Sequence, residues 1–214
     1  EGTGFGGAMK NIGMGSGSRA GKMEQHCDGK PTVDPSLCRS CRQCGKQCAH
    51  GAISYNEKKI VFVDHDLCVG CGRCIAACNF DAIENVNGNS NQILCEKIAE
   101  YSLAVLQNRP NFHINLVIQV SPNCDCHSEN DVPIIPDVGM FASFDPVALD
   151  QACADACIKQ PVMPGSQLAE HIEQGCPGHD HFGVSSQGTD WTVTLAHAEE
   201  IGLGTRQYEL ITVK

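Results

Sequence analysis

The chain has 214 residues, 42% of them hydrophobic and 19% charged, the balance of a folded globular protein with room for one core and a small module. Its longest apolar run, around Ile114 to Val120, is far too short to cross a bilayer, so no membrane span is expected. The formal charge of −10 is concentrated in residues 87–214, which carry five basic against sixteen acidic side chains; without a clustered basic face, nucleic-acid binding is excluded.

Residues 1–30 are glycine-rich. The letters Gly2-Thr3-Gly4-Phe5-Gly6-Gly7 match a dinucleotide fingerprint, but no strand precedes them in this sequence, and a lone match of this kind is weak. Close backbone packing or turns explain these glycines better. Residues 31–86 hold an internal repeat with an offset of thirty. Val33, Asp34, Leu37, Cys38, Cys41, Cys44, Cys48, Ala52 and Ile53 recur as Val63, Asp64, Leu67, Cys68, Cys71, Cys74, Cys78, Ala82 and Ile83. The pattern predicts a duplicated βαβ-like half-module. Strands near Ile53–Tyr55 and Ile60–Val63, around the polar turn Asn56–Lys59, would join the halves.

Beyond the repeat the pattern is α/β. A helix is expected over Gln92–Gln107, ending ahead of Pro110, then a strand over His113–Val120 buried on at least one face. A short strand near Val132–Ile135 is flanked by Pro133 and Pro136, which makes it an edge or irregular strand. Asp145-Pro146 reads as N-cap and first helical residue of a helix to about Lys159. Helices at Ser166–Gln174 and Asp190–Ile201 and a strand at Gln207–Val213 complete the expectation.

The fifteen cysteines are odd in number and fall in metal-ligand spacings, which argues against a disulfide framework. One run is Cys38-x2-Cys41-x2-Cys44-x3-Cys48 and the other Cys68-x2-Cys71-x2-Cys74-x3-Cys78. Zinc sites are commonly built from two separated cysteine pairs and do not require three cysteines in consecutive steps. The spacing is that of bacterial two-cluster ferredoxins, in which the fourth cysteine of each run ligates the other 4Fe–4S cluster. Cys38, Cys41, Cys44 and Cys78 are therefore expected to hold one cluster, and Cys68, Cys71, Cys74 and Cys48 the second. Ala49 and Asn79 stand where that motif has proline, which affects backbone shape but supplies no ligand. Amides of Gly45, Gly51, Gly70 and Gly72 are candidates for hydrogen bonds to cluster sulfurs, or serve only the turns. Iron-binding thiolates must stay reduced, so a cytoplasmic, anaerobic setting is expected.

Seven cysteines lie outside the runs: Cys27, Cys95, Cys124, Cys126, Cys153, Cys157 and Cys176. Cys124 and Cys126 follow the 113–120 strand, and the carboxyl edge of an α/β sheet is where ligands gather. They are candidates for a third metal or cluster, with His26, Cys27, His127 or Cys153 as further donors, and otherwise are buried thiols. Cys153 and Cys157 share one helix face and read as small core residues. Cys176-Pro177-Gly178-His179-Asp180-His181 is read as a loop with solvent-exposed histidines rather than a metal site. Asp145 and Asp150 are placed for acid–base work, although Asp145 is explained as the cap.

These motifs together resemble the uncharacterised iron–sulfur family known as domain of unknown function 362. The resemblance rests on Gly6-Gly7-Ala8-Met9-Lys10-Asn11, Ser18-Arg19-Ala20-Gly21-Lys22, the two cysteine runs and Ser121-Pro122-Asn123-Cys124-Asp125-Cys126. It continues through Pro133 to Gly139, Ser143 to Asp150, and Ile201 to Arg206. It implies an α/β sandwich-type domain, residues 1–30 and 87–214, into which a two-cluster ferredoxin-type module, residues 31–86, is inserted. The family's longer N-terminal part implies that this sequence, beginning at Glu1, starts inside a domain. The leading functional expectation is a relay of single electrons through two 4Fe–4S clusters, with redox donor and acceptor proteins as partners. An oxidoreductase with its own substrate or metal site near Cys124 and Cys126, and clusters serving only folding and docking, are the alternatives.

Overall fold

Two hydrophobic clusters made from different stretches of chain organise the computed structural model, which describes residues 3–26, 30–84, 91–124 and 128–213. One unit comprises Glu1–Ser16 with Leu94–Lys214, the other Gly17–Ile93. In chain order the first elements are α1 (Ala8–Gly13), α2 (Arg19–His26), β1 (Thr32–Val33), α3 (Gln43–Gln47) and β2 (Ile53–Tyr55). Then come β3 (Val61–Val63), α4 (Arg73–Ala76), β4 (Ile83–Glu84), α5 (Asn91–Leu106), β5 (His113–Val117) and β6 (Gly139–Ser143). The last are α6 (Pro146–Ile158), α7 (Gln167–Glu173), α8 (His181–Ser185) and α9 (Thr192–Glu200). Helices thus alternate with small sheets, a mixed α/β chain.

In the unit of residues 17–93 the sequence repeat becomes a structural one. Ile53 pairs with Val63 in β2–β3, and Ile83 pairs with Val33 in β4–β1, both antiparallel. Shifting either pair by thirty residues gives the other with its partners exchanged, so each sheet joins the end of one half to the start of the other. The flanking bonds obey the same exchange: Asp64 N donates to Ala52 O at 2.7 Å and Asp34 N to Ala82 O at 2.9 Å. Left-handed backbone recurs in register at Ser40 and Gly70, Arg42 and Gly72, and Gly51 and Asp81. The β2–β3 turn closes with Lys59 at φ 61° and the Asn56 side chain accepting from Ile60 N at 3.0 Å.

In the unit of residues 1–16 and 94–214, α6 lies at the centre. Val147, Leu149, Cys153, Ala154 and Cys157 are all buried. The small side chains among them let α1, β5, β6, α8 and α9 pack against the helix. The helix begins where Asp145 and Pro146 indicate: the Asp145 carboxylate accepts from Val147 N at 2.8 Å and Ala148 N at 3.0 Å. α5 turns Leu94, Cys95, Ile98, Ala99 and Ser102 inward, the spacing of one helical face.

Several expectations need correction. Among the described residues the sheets are three antiparallel pairs, so a sandwich-type sheet does not form there. No strand forms at Val132–Ile135. Ile134 N bonds Val120 O at 2.8 Å and Ile134 O accepts from Met163 N at 2.9 Å, but Pro133 and Pro136 offer no donors to extend a ladder. The partner of β5 is instead β6. Residues 207–213 carry strand-forming side chains yet remain unpaired coil, with Val213 90% exposed. Burial in β5 is also inverted relative to composition: Ile114 and Leu116 are 55% and 63% exposed, while His113, Asn115 and Val117 lie on the less exposed face. A two-stranded sheet covered by α6 on one side leaves its other face open.

Candidate functional site

Each cysteine run begins in a turn and ends beyond a short helix, which divides its ligands in space. Cys38, Cys41 and Cys44 border one cavity, and the fourth cysteine beside them is Cys78, from beyond α4. Cys68, Cys71 and Cys74 border a second cavity, and there the fourth is Cys48, from beyond α3. Each cavity holds about 330 Å³ of empty space, counting the part that opens to solvent. Both lie against the β2–β3 hairpin, the first touching Tyr55 and Val61, the second Ile53 and Val63. The remaining walls are mostly apolar, with Arg39 and Arg42 at the first cavity and His50 and Arg73 at the second.

The residues present fit an iron–sulfur cube better than a single ion. Among the described residues, no three His, Cys, Asp or Glu side chains converge on a point that one metal ion would occupy. A cube needs no such convergence, because each of its irons takes a different thiolate, whereas zinc draws its donors to about 2.1–2.3 Å of one centre. Burial pushes the Cys44 thiol up, and pushes the Cys74 thiol up to about 12. Such thiols become good ligands only when a soft cation replaces the proton, so loading would release protons.

Donors to the sulfurs also follow the repeat. The amide of Gly45 serves Cys44 and that of Ile75 serves Cys74. Gly70 N donates to Cys68 Sγ at 3.4 Å. Gly51 and Gly72 meet the backbone requirement, with φ of 67° and 65°. One partner was not legible in the sequence: the Tyr55 hydroxyl stands 3.8 Å from Cys44 Sγ, under the Arg42 guanidinium 5.4 Å from its ring centre. A side chain at Gly45 would collide with that hydroxyl.

The weaker candidates separate. Cys124 Sγ accepts from Lys10 Nζ at 3.0 Å, while Cys27, Cys126 and His127 lie outside the described residues. Cys153 and Cys157 are buried in the α6 core, as their spacing suggested. The loop reading of Cys176–His181 fails at its end: His181 opens α8, is 5% exposed, and its Nε2 lies 2.9 Å from Gln160 O. Asp180 supplies the cap, and its carboxylate accepts from Phe182 N at 3.1 Å, which a pattern of scattered His and Gly does not reveal. Asp150 is fully buried and accepts from Ala8 N at 2.7 Å, Met9 N at 2.8 Å and Asn115 Nδ2 at 2.7 Å. It caps α1 from a distant part of the chain. Gly7 is required there, since a Cβ would strike its carboxylate, which bears out close packing as the reason for glycine.

Comparison with known proteins gives short matches and one long one. A 57-residue stretch is 35% identical to pyruvate synthase subunit PorD of Methanocaldococcus jannaschii, covering 27% of this chain and 66% of that protein. Electron transport protein HydN of Escherichia coli K12 is 40% identical over 53 residues, 24% of this chain and 30% of its own. A tetrathionate reductase subunit of Archaeoglobus fulgidus is 33% identical over 57 residues, 26% and 28% of the two chains. The chain therefore spans less than two thirds of each of these relatives. No solved structure matches. The model of the family described as domain of unknown function (DUF362) matches residues 1–155, well over half of the sequence, and the chain belongs to that family.

Proposed function

We propose that the chain carries two 4Fe–4S clusters and passes single electrons between a donor and an acceptor protein. The observation that carries this reading is the pair of cavities, each bordered by three cysteines of one run and the last of the other. Residues 31–86 form the cluster module in this reading, and residues 1–30 and 87–214 the domain around it. Cys38, Cys41, Cys44 and Cys78 hold one cluster; Cys68, Cys71, Cys74 and Cys48 hold the second. A bound cluster supplies reversible one-electron redox chemistry, with a potential set by its surroundings. The protein's own part is to exclude water with Val61, Ile83, Ile53 and Val63, to direct amides at the sulfurs, and to set Arg39, Arg42 and Arg73 against the thiolate charge.

The named relatives support the same reading, since their names are those of an electron transport protein and of subunits of redox enzymes. Thiolates of this kind call for a reducing, cytoplasmic setting. Among the described residues no helix is long and apolar enough to cross a membrane.

Iron and sulfide analysis after anaerobic purification tests the proposal. The expected result is about eight irons and eight sulfides per chain, and about twelve irons would add a third cluster at Cys124 and Cys126. Cys78→Ser is expected to perturb the same spectroscopic centre as Cys41→Ser, and Cys48→Ser the same centre as Cys71→Ser. Folded, colourless, iron-free protein would sink the proposal. Clusters that no physiological reductant reduces would leave them a structural role only.

A further inference from the structure

The two cysteine-bordered cavities differ at their mouths, although one repeat builds both. Cys41 is exposed, the only one of the eight cysteines in the two runs that is. Its run carries Arg39, Arg42 and Lys46, with no acidic residue between Cys38 and Cys48. The positions thirty residues on are Val69, Gly72 and Ala76, and Arg73 is the single charged residue between Cys68 and Cys78. Arg39 and Arg42 are exposed and border the first cavity, where Val69 and Gly72 border the second. Cys68 is flanked by Leu67 and Val69, 52% and 62% exposed, so the second mouth presents apolar side chains instead.

These differences give the first mouth a role of its own. The Arg42 guanidinium lies 5.4 Å from the Tyr55 ring centre, and the Tyr55 hydroxyl stands 3.8 Å from Cys44 Sγ. A guanidinium keeps its charge and presents a planar fork that matches a carboxylate. Arg39, Arg42 and the hydroxyl all favour the more negative, reduced level of a cluster held here, so an electron rests at this centre before it leaves. Exposure of Cys41 lets a second redox centre come close to its sulfur, and electron transfer slows steeply with distance. Asp81 and Glu84 flank the lining residues Ala82 and Ile83 but do not border the cavity themselves. In a chain of net charge −10, two arginines beside the exposed sulfur steer an acidic partner to this face against the general repulsion.

Resting on the electron-transfer reading, we propose that the cluster held by Cys41 is the port to an acceptor protein with an acidic face, which docks on Arg39 and Arg42. One electron leaves the reduced cluster, which returns to its oxidised level, and the one-electron centre of the acceptor gains it. No bond is made or broken.

Stopped-flow mixing tests this with the full chain, purified without oxygen, reduced and freed of reductant. The probes are oxidised cytochrome b5, whose haem edge is acidic, and oxidised cytochrome c, whose haem edge is basic. The rate to cytochrome b5 is expected to fall as salt is raised, although both proteins are acidic overall and net charge alone would make it rise. Arg39→Gln with Arg42→Gln should lower that rate at low salt by roughly tenfold and flatten its salt dependence, without slowing cytochrome c. A change in cluster potential alone would alter both rates and leave the salt dependence in place. Arg39→Lys with Arg42→Lys should keep both features, and Lys58→Gln, which removes a charge from the β2–β3 turn, should change neither. If the double glutamine variant does not fold, the salt dependence of the unmodified protein still decides. Protein that holds no iron would sink the redox reading and this proposal with it. Iron-loaded protein whose rate to cytochrome b5 rises with salt, or responds to the arginine pair no more than to Lys58→Gln, would overturn this proposal alone.

Discussion

Asp150 shows how one buried side chain ties distant segments together and what that costs. Burial pushes its carboxyl up to about 6 from an ordinary 3.8, against the pull of the Met9 and Ala8 amides and Asn115. Between those values the folded chain binds more protons than the unfolded one, so this group's contribution to stability falls as pH rises from about 4 to 6. The displacement corresponds to about 3 kcal/mol. Asp150→Asn should abolish that slope, so the urea-unfolding difference between the two proteins should change by roughly this amount across the window and be flat above and below it. Tyr55 gives a second test at this scale. Tyr55→Phe removes the hydroxyl 3.8 Å from Cys44 Sγ. Iron content should be unchanged, and the potential of the centre held by Cys44 should fall, because donors to cluster sulfurs favour the reduced, more negative state. Redox titration followed by EPR reads it. Neither Asp150 as a remote cap nor Tyr55 as a sulfur partner was legible in the sequence. Both depend on contacts between segments, 142 residues apart for Asp150 and Ala8.

Elements whose signals are local behave as their sequences indicate. α6 starts at Pro146 with Asp145 as its cap, and α5, α7 and α9 fall within one or two residues of expectation. Asp145 does more than cap, since its second carboxylate oxygen accepts from Thr205 N at 2.9 Å. Asp145→Ala should therefore cost about 1–2 kcal/mol, and Asp145→Asn less, as measured by urea denaturation. Strands were less legible, for a physical reason: a strand exists only where another chain segment pairs with it. His113–Val117 finds β6, whereas residues 207–213, equally rich in strand formers, find no partner among the described residues. Gly139–Ser143 carries a weak strand signal and is a strand because β5 lies beside it.

For the whole molecule, the two units differ in what holds them. The larger core includes Met9, Val147, Leu149, Leu168, Trp191 and Leu195, an apolar interior that needs no metal. The buried core of residues 17–93 includes Cys44 and Cys74 alongside Val61, Val63 and Ile83, so thiols of the two cysteine runs are part of it. Removing iron with a chelator should then loosen the smaller unit while sparing the larger. Hydrogen exchange should accelerate across residues 30–84, with α6 and α9 still protected; uniform protection or uniform loss would contradict this. The paired cysteine spacings and the thirty-residue repeat by themselves determined that two equivalent thiol sets exist, because metal-ligand spacing is a local property of the chain. Only the tertiary structure decided that His113–Val117 pairs with Gly139–Ser143, that Asp150 caps α1, and that Lys10 meets Cys124, because each of these joins groups that chain order separates and packing alone brings together.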